Sequence, residues 1–262
     1  MRTQRYLIPI EDPEVPEGQV TGPPDIVGIG AQRAGTTWWW RGAIRSHPGF
    51  VRDVKPGKEL HFFDRFWDGR QVPDDLAAAY ARQFPRPPGA ITGEWTPRYM
   101  HDFWALPLLH RCAPDARILV MLRDPVERYR SGLAREMRLA GEDGMPLEIA
   151  IVGDAVHRSL YSPQLRRLFE LYPPERVLVL QYERCRAEPR AEMQRTQAFL
   201  GLEPLTDVPP DLDRQVGGRR EPAPLADELR AELGARLADD ARQTAGLCPD
   251  VDLSLWPTVA GA

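Results

Sequence analysis

The chain has 262 residues, 42% of them hydrophobic and 27% charged, with a formal net charge of −4. That length allows one large core, and the weakly acidic balance excludes the overall basic footprint of a nucleic-acid binder while leaving room for a local anion site. No segment approaches the roughly 20 apolar residues of a membrane span, the first residues lack a signal-peptide run, and Cys112, Cys185 and Cys248 show neither metal spacing nor an even disulfide set, so the expected setting is a reducing cytoplasm.

Residues 1–24 are rich in Pro and Glu and read as a flexible lead-in to one domain over 25–262. "DIVGIG" (25–30) is a short apolar run ending in Gly and predicts a buried strand. "TTWWWRGAIRSHP" (36–48) predicts a helix that stops before Pro48. "LHFF" (60–63) reads as a short strand or a turn, "DDLAAAYARQF" (74–84) as a helix and "GAITGEW" (89–95) as a second strand. "ARILVMLRDP" (116–125) is the clearest strand, a continuous β-favourable run of the kind buried in a parallel sheet. Asp124 and Pro125 supply an N-cap and a first helical residue, so "PVERYRSGLAREMRL" (125–139) predicts a helix. "SPQLRRLFELYP" (162–173) is helical, "RVLVLQYE" (176–183) a further buried strand, and "PRAEMQRTQAFLGL" (189–202) a helix ending at Gly201. The Pro-rich "LEPLTDVPPDLD" (202–213) is a loop or linker. "LADELRAELGARLADDARQTAGL" (225–247) is a late helix interrupted by Gly234. Strands alternating with helices imply an α/β fold, a P-loop-like parallel sheet flanked by helices.

Gly30 and Gly35 have the glycine spacing of a P-loop, which cradles phosphate on backbone N–H groups at a helix N-terminus. A P-loop continues Gly-Lys-Ser/Thr; here Gly35 is followed by Thr36 and Thr37. The loop's cation, Arg33, comes two residues before Gly35, an arrangement suited to an anion that needs no γ-phosphate clamp. Gly28 and Gly30 do not extend to a dinucleotide fingerprint, because position 33 is Arg. Lysine is scarce: Lys55 and Lys58 are the only two.

"GAQRAGTTWW" (30–39) resembles the 5′-phosphosulfate loop of sulfotransferases that use 3′-phosphoadenosine 5′-phosphosulfate (PAPS), and the pattern is nearest to the heparan-sulfate type. "GKELHFFD" (57–64), "LVMLRDPVERYRSGL" (119–133), "RSLYSPQLRRLF" (158–169) and "GGRREP" (217–222) resemble further segments of that family, in the family's order. The resemblance implies a PAPS-dependent O-sulfotransferase. It would move a sulfonate to a hydroxyl of a small metabolite or saccharide, leave 3′-phosphoadenosine 5′-phosphate (PAP), and need no metal. Arg33, Ala34, Gly35, Thr36, Thr37 and Trp38 would then hold the 5′-phosphosulfate. Arg33 stands where the family has a catalytic Lys; it keeps the charge but cannot give up a proton at neutral pH.

Glu59 is by resemblance the general base, and His61 the rival, since histidine titrates near neutrality unaided. If their segment is extended, both face one side; Lys58, beside Glu59, either contacts the sulfonate or, as alternation would have it, is turned away into solvent. Arg123 and Ser131 are implied to hold the 3′-phosphate, and Tyr161 the adenosine side. Gly218, Arg219 and Arg220 form the late loop, where Gly217 replaces the family's Lys. Glu94-Trp95 stands where related enzymes have Glu-Lys, which makes a highly anionic acceptor less assured; Glu94 is the next base candidate after Glu59 and His61. Trp38, Trp39 and Trp40 spread over about 200° of a helix, so most of that aromatic surface is expected in the core. Two other functions fit the phosphate loop: a nucleotide-dependent kinase or NTPase, for which Asp124 would be a metal-holding acid, and a non-catalytic nucleotide binder.

Overall fold

Four parallel strands form the sheet: β1 (Ile26–Gly30), β2 (Gly93–Trp95), β3 (Arg117–Leu122) and β4 (Val177–Gln181), in the order β2-β1-β3-β4. The structure, a computed structural model, describes residues 12–51, 58–69, 72–143, 149–213 and 222–260. The apolar runs that predicted β1, β3 and β4 are almost wholly buried, as expected for a sheet covered on both faces. The register pairs Ile26 with Gly93 on one side of β1 and with Arg117 on the other. The chain therefore leaves β1 toward β2 and returns beyond β1 to β3. This reversal opens a crevice at the carboxyl ends of β1 and β3, the place where open α/β sheets bind ligands.

Helices flank the sheet. After β1 come α1 (Thr36–Trp39) and, without a break, a π-helical stretch Trp40–Arg45. All three tryptophans of the run are buried. Trp38 Nε1 donates to the Leu212 carbonyl at 3.0 Å, and Trp39 Nε1 to Thr196 Oγ1 at 3.1 Å. Buried indole N–H groups need such partners, and these two fix the helix against α8 (Pro189–Phe199) and α9 (Pro210–Asp213). The tryptophans thus build the core.

The helix α2 (Leu76–Ala81) follows the Ala-rich run, and α4 (Pro125–Asp143) begins as the Asp-Pro pair predicts. Asp124 Oδ1 accepts from the backbone N–H groups of Val126 (3.0 Å) and Glu127 (3.1 Å), which is an N-cap by geometry. The helix α6 (Ser162–Leu171) is also as expected. The helices α3 (Ala105–Cys112), α5 (Ile149–His157) and α7 (Tyr182–Ala187) carry no clear sequence signal, and α9 lies in the run read as a loop or linker.

The late helix α10 (Asp227–Leu247) runs through Gly234 without interruption, contrary to the expectation. A Cβ at Gly234 would lie 2.2 Å from the Thr258 carbonyl oxygen. The glycine therefore serves close packing against α11 (Pro257–Ala260) rather than breaking a helix. In the lead-in, Val20 pairs with Arg86, and Asp12 accepts from Arg82 and Gln83. The three cysteines are buried and free. Among the described residues no helix is long and apolar enough to cross a membrane.

Candidate functional site

The loop after β1 enters the crevice. Its Ala31 N–H donates to the Met121 carbonyl of β3 at 2.8 Å, which seats the loop between the two strands. Arg33 and Gly35 both have left-handed backbone, φ 70° and φ 94°. Alternation of this kind turns successive N–H groups inward and makes an anion-binding concavity. A side chain at Gly35 would be excluded twice, by φ and by the Tyr182 ring 2.6 Å from its Cβ position. The Thr36 and Thr37 hydroxyls add donors at the start of α1. Arg33 turns its side chain toward α4, and its Nε donates to Ser131 Oγ at 3.2 Å.

The cation that does meet the two threonines is Lys58. Its Nζ donates to Thr36 Oγ1 (2.8 Å), Thr37 Oγ1 (3.2 Å) and Glu59 Oε1 (3.0 Å), with a side chain only 11% exposed. The expectation that alternation turns Lys58 away is therefore corrected. Residues 58–63 form no strand, and His61 has φ 53°, so strict alternation does not apply there.

Glu59, His61 and Asp64 form a chain of charges. His61 Nε2 lies 3.3 Å from Glu59 Oε2, and its Nδ1 lies 2.7 Å from Asp64 Oδ2. The Asp64 side chain is fully buried, and its Oδ1 has no hydrogen-bond partner among the described residues. Such a carboxylate favours a charged imidazole beside it. Burial alone would lower His61, but its bonds to Asp64 and Glu59 raise it to about 9. Burial alone would raise Glu59, but His61 and Lys58 hold it down at about 2. Both shifts favour an anionic Glu59 beside a cationic His61.

This segment hangs on one buried carboxylate. Glu94 is fully buried and accepts four hydrogen bonds: from Tyr80 OH (2.8 Å) and Tyr99 OH (3.0 Å) on Oε1, and from Thr96 Oγ1 (2.5 Å) and Leu60 N (3.1 Å) on Oε2. Thr96 Oγ1 also accepts from His61 N at 3.3 Å, and Tyr99 OH from Phe62 N at 2.8 Å. Trp95 N donates to the Lys58 carbonyl at 2.7 Å. Residues 58–62 are therefore held in place by Glu94 and its partners. Burial pushes Glu94 up to about 7, against those four bonds, which favour the anion. Enclosed in this way, Glu94 has no exposed surface and holds residues 58–62 in place.

At the end of β3, the Arg123 guanidinium lies over the Tyr182 ring, 5.0 Å from its centroid, and donates to the Arg33 carbonyl at 3.4 Å. Ser131 is two turns along α4. Arg33, Arg123 and Ser131 so converge beside the loop. Tyr161 is fully buried, and its hydroxyl donates to the Arg123 carbonyl at 2.8 Å. Its ring braces the strand end from the core side. Asp124 is capped by α11, since Thr258 Oγ1 and N donate to its carboxylate. Asp124 is thus occupied structurally. Gly218, Arg219 and Arg220 lie outside the described residues. The donors present suit a nucleotide with two separate anionic groups: Thr36, Thr37, Lys58 and the loop backbone for one, and Arg123, Arg33 and Ser131 for the other. No group of three or more His, Cys, Asp or Glu side chains among the described residues could hold a metal ion.

Sequence reasoning did not single out Tyr182, Asp64 or Tyr99. Tyr182 carried one usable signal, its position directly after a buried strand; the other two become visible only through their contacts.

Residues 74–207 match the family described as "Sulfotransferase family". The chain is 32% identical over 192 residues to heparan sulfate glucosamine 3-O-sulfotransferase 6 of Mus musculus, covering 68% of this chain and 52% of that protein. It is 30% identical over 190 residues to heparan sulfate glucosamine 3-O-sulfotransferase 3B1 of Homo sapiens, covering 68% and 46%. The chain thus spans about half the length of the curated relatives it matches. Among solved structures, a sulfotransferase from Alicyclobacillus acidocaldarius superposes with a TM-score of 0.68 at 25% identity, covering 90% of this chain and 99% of that one.

Proposed function

The chain belongs to the sulfotransferase family, and we propose that it transfers a sulfonate from PAPS to a hydroxyl group of a saccharide or small hydroxylated metabolite. The observation that carries this reading is the meeting of Thr36, Thr37 and Lys58 with the Glu59 carboxylate at one edge of the loop, with Arg123 and Ser131 at the other. One edge fits the sulfonate end of the donor and the other its 3′-phosphate. PAPS supplies the activated sulfonate; the chain's residues bind, orient and handle protons. Glu59 is the group placed to accept the hydroxyl proton, within reach of the loop and 36% exposed. His61 holds the carboxylate in orientation, Asp64 holds His61, and Glu94 holds their backbone. A saccharide acceptor is supported by the names of the curated relatives, while Trp95 in place of the related lysine supports a less anionic one.

Calorimetry tests the donor assignment. PAP should bind without added metal, and ATP with Mg²⁺ should bind at least tenfold more weakly. Tighter binding of ATP–Mg²⁺ would point to a kinase or NTPase and overturn the reading.

A further inference from the structure

We propose that Lys58 is a catalytic residue of this site, the cation that contacts the oxygen bridging sulfur and the 5′-phosphorus. It stands in, from a different segment, for the lysine that does not follow Gly35. This rests on the donor assignment above and deepens it.

Three observations converge. Lys58 Nζ touches both loop hydroxyls and the Glu59 carboxylate at once, so it already sits at the junction of donor and base. The loop's own cation, Arg33, bonds Ser131, and its Cγ lies 3.9 Å from the Cβ position of Gly132 in α4. And Lys58 is one of only two lysines in a chain with 34 basic residues, yet it is nearly buried. An ammonium group loses hydration on burial and needs partners to offset it; a lysine with no role in the site would extend into water. Burial, with help from Arg41 and Arg33, also lowers its proton affinity.

In the transfer step, Glu59 takes the acceptor's hydroxyl proton as that oxygen forms its bond to sulfur. The bond between sulfur and the bridging oxygen breaks, and its electron pair stays on that oxygen, now part of the 5′-phosphate of PAP. Lys58 hydrogen-bonds to that oxygen as the charge develops and remains an ammonium. When the donor draws Lys58 toward the bridging oxygen, Glu59 loses a cationic partner and becomes a stronger base. Donor binding thereby readies the base.

The test has two arms. Lys58→Met keeps the side chain's length and removes its charge. PAP release from PAPS is followed with whichever of a phenol or a glucosamine oligosaccharide the wild type uses. For Lys58→Met, kcat should fall about 10²–10³-fold, the range for loss of one preorganised electrostatic donor; for Arg33→Met the larger loss should be in PAP affinity. The second arm uses the wild-type fold. Because Lys55 and Lys58 are the only lysines, reductive methylation with ¹³C-formaldehyde labels two side chains and the amino terminus, and Lys55→Arg assigns them. The Lys58 signal should move when PAP saturates the protein. An unmoved signal with PAP bound, or a fully active Lys58→Met, overturns the proposal. Failure of PAP to bind at all would overturn the donor assignment, and the Lys58 role with it.

Discussion

Replacing Glu94 by Gln changes one oxygen into an NH₂ group and removes the charge. The four donors around the carboxylate then decide what happens. Leu60 N–H cannot reverse its direction, so the Gln oxygen must take the Oε2 position facing Leu60 and Thr96. The NH₂ then faces Tyr80 OH and Tyr99 OH, which both donate in the wild type. Tyr80 can turn to accept. Tyr99 already accepts from Phe62 N, and both tyrosine hydroxyl protons lose the acceptor they had in Oε1. Each stranded buried donor costs about 1–3 kcal/mol, and Glu94→Gln should lose roughly that to twice that. For a chain of this size the loss lowers Tm by about 2–4 °C per kcal/mol. Because the same bonds hold residues 58–62, Glu59 should shift, and misplacement by about 1 Å costs on the order of 10² in rate. Thermal melting and PAPS turnover measure the two effects. PAP affinity should stay within about threefold, since Arg123 and Ser131 are untouched. A Glu94→Gln protein with wild-type Tm and kcat would refute the positioning role.

Further outcomes follow from the same geometry. The Glu59–His61 pair makes stability pH-dependent: Glu59, depressed to about 2, contributes fully above about 4.5 and less as pH falls through 2, whereas His61, raised to about 9, contributes fully below about 6.5 and less as pH rises through 9. The Tm difference between wild type and His61→Asn should thus be greatest between about pH 4.5 and 6.5 and shrink toward pH 9–10; a difference constant across pH 5–10 contradicts the charged pair. Arg123→Ala should weaken PAP at least tenfold by calorimetry, because losing a buried charged partner costs about 2–5 kcal/mol, and equal affinity for adenosine 5′-phosphate and PAP would count against a 3′-phosphate site. Gly35→Ala, with φ 94° and its Cβ position 2.6 Å from Tyr182, should abolish measurable PAP binding; normal binding would mean that the loop does not need this backbone shape.

Much of the scaffold was legible because burial on both faces writes itself into composition. The runs at 26–30, 117–122 and 177–181 are apolar without alternation, and all three are strands. The helix at 105–112 was not legible, since Pro107 in its first turn reads as a breaker, although that turn needs no N–H from it. Gly234 misled in the opposite sense: its lack of a side chain serves the neighbour at Thr258, and no local pattern reports a neighbour. In the site, the identities of Arg33, Glu59, His61, Arg123 and Ser131 could be read in order along the chain, but their partners could not. Lys58 looked averted because a period of two was assumed where His61 has positive φ. Glu94 carried a faint signal, a carboxylate inside a three-residue buried strand, whose meaning depends on Tyr80 and Tyr99 arriving from elsewhere.

The most direct test of the account is acceptor-dependent release of PAP from PAPS by wild type and Glu59→Gln, measured side by side with PAP affinity. Glutamine keeps the size and polarity of the side chain but cannot take the hydroxyl proton. The account predicts turnover by the wild type, a loss of about 10²–10⁴ in kcat for Glu59→Gln, and PAP affinity unchanged within about twofold, since Glu59 faces the acceptor. Turnover by Glu59→Gln at the wild-type rate would contradict it.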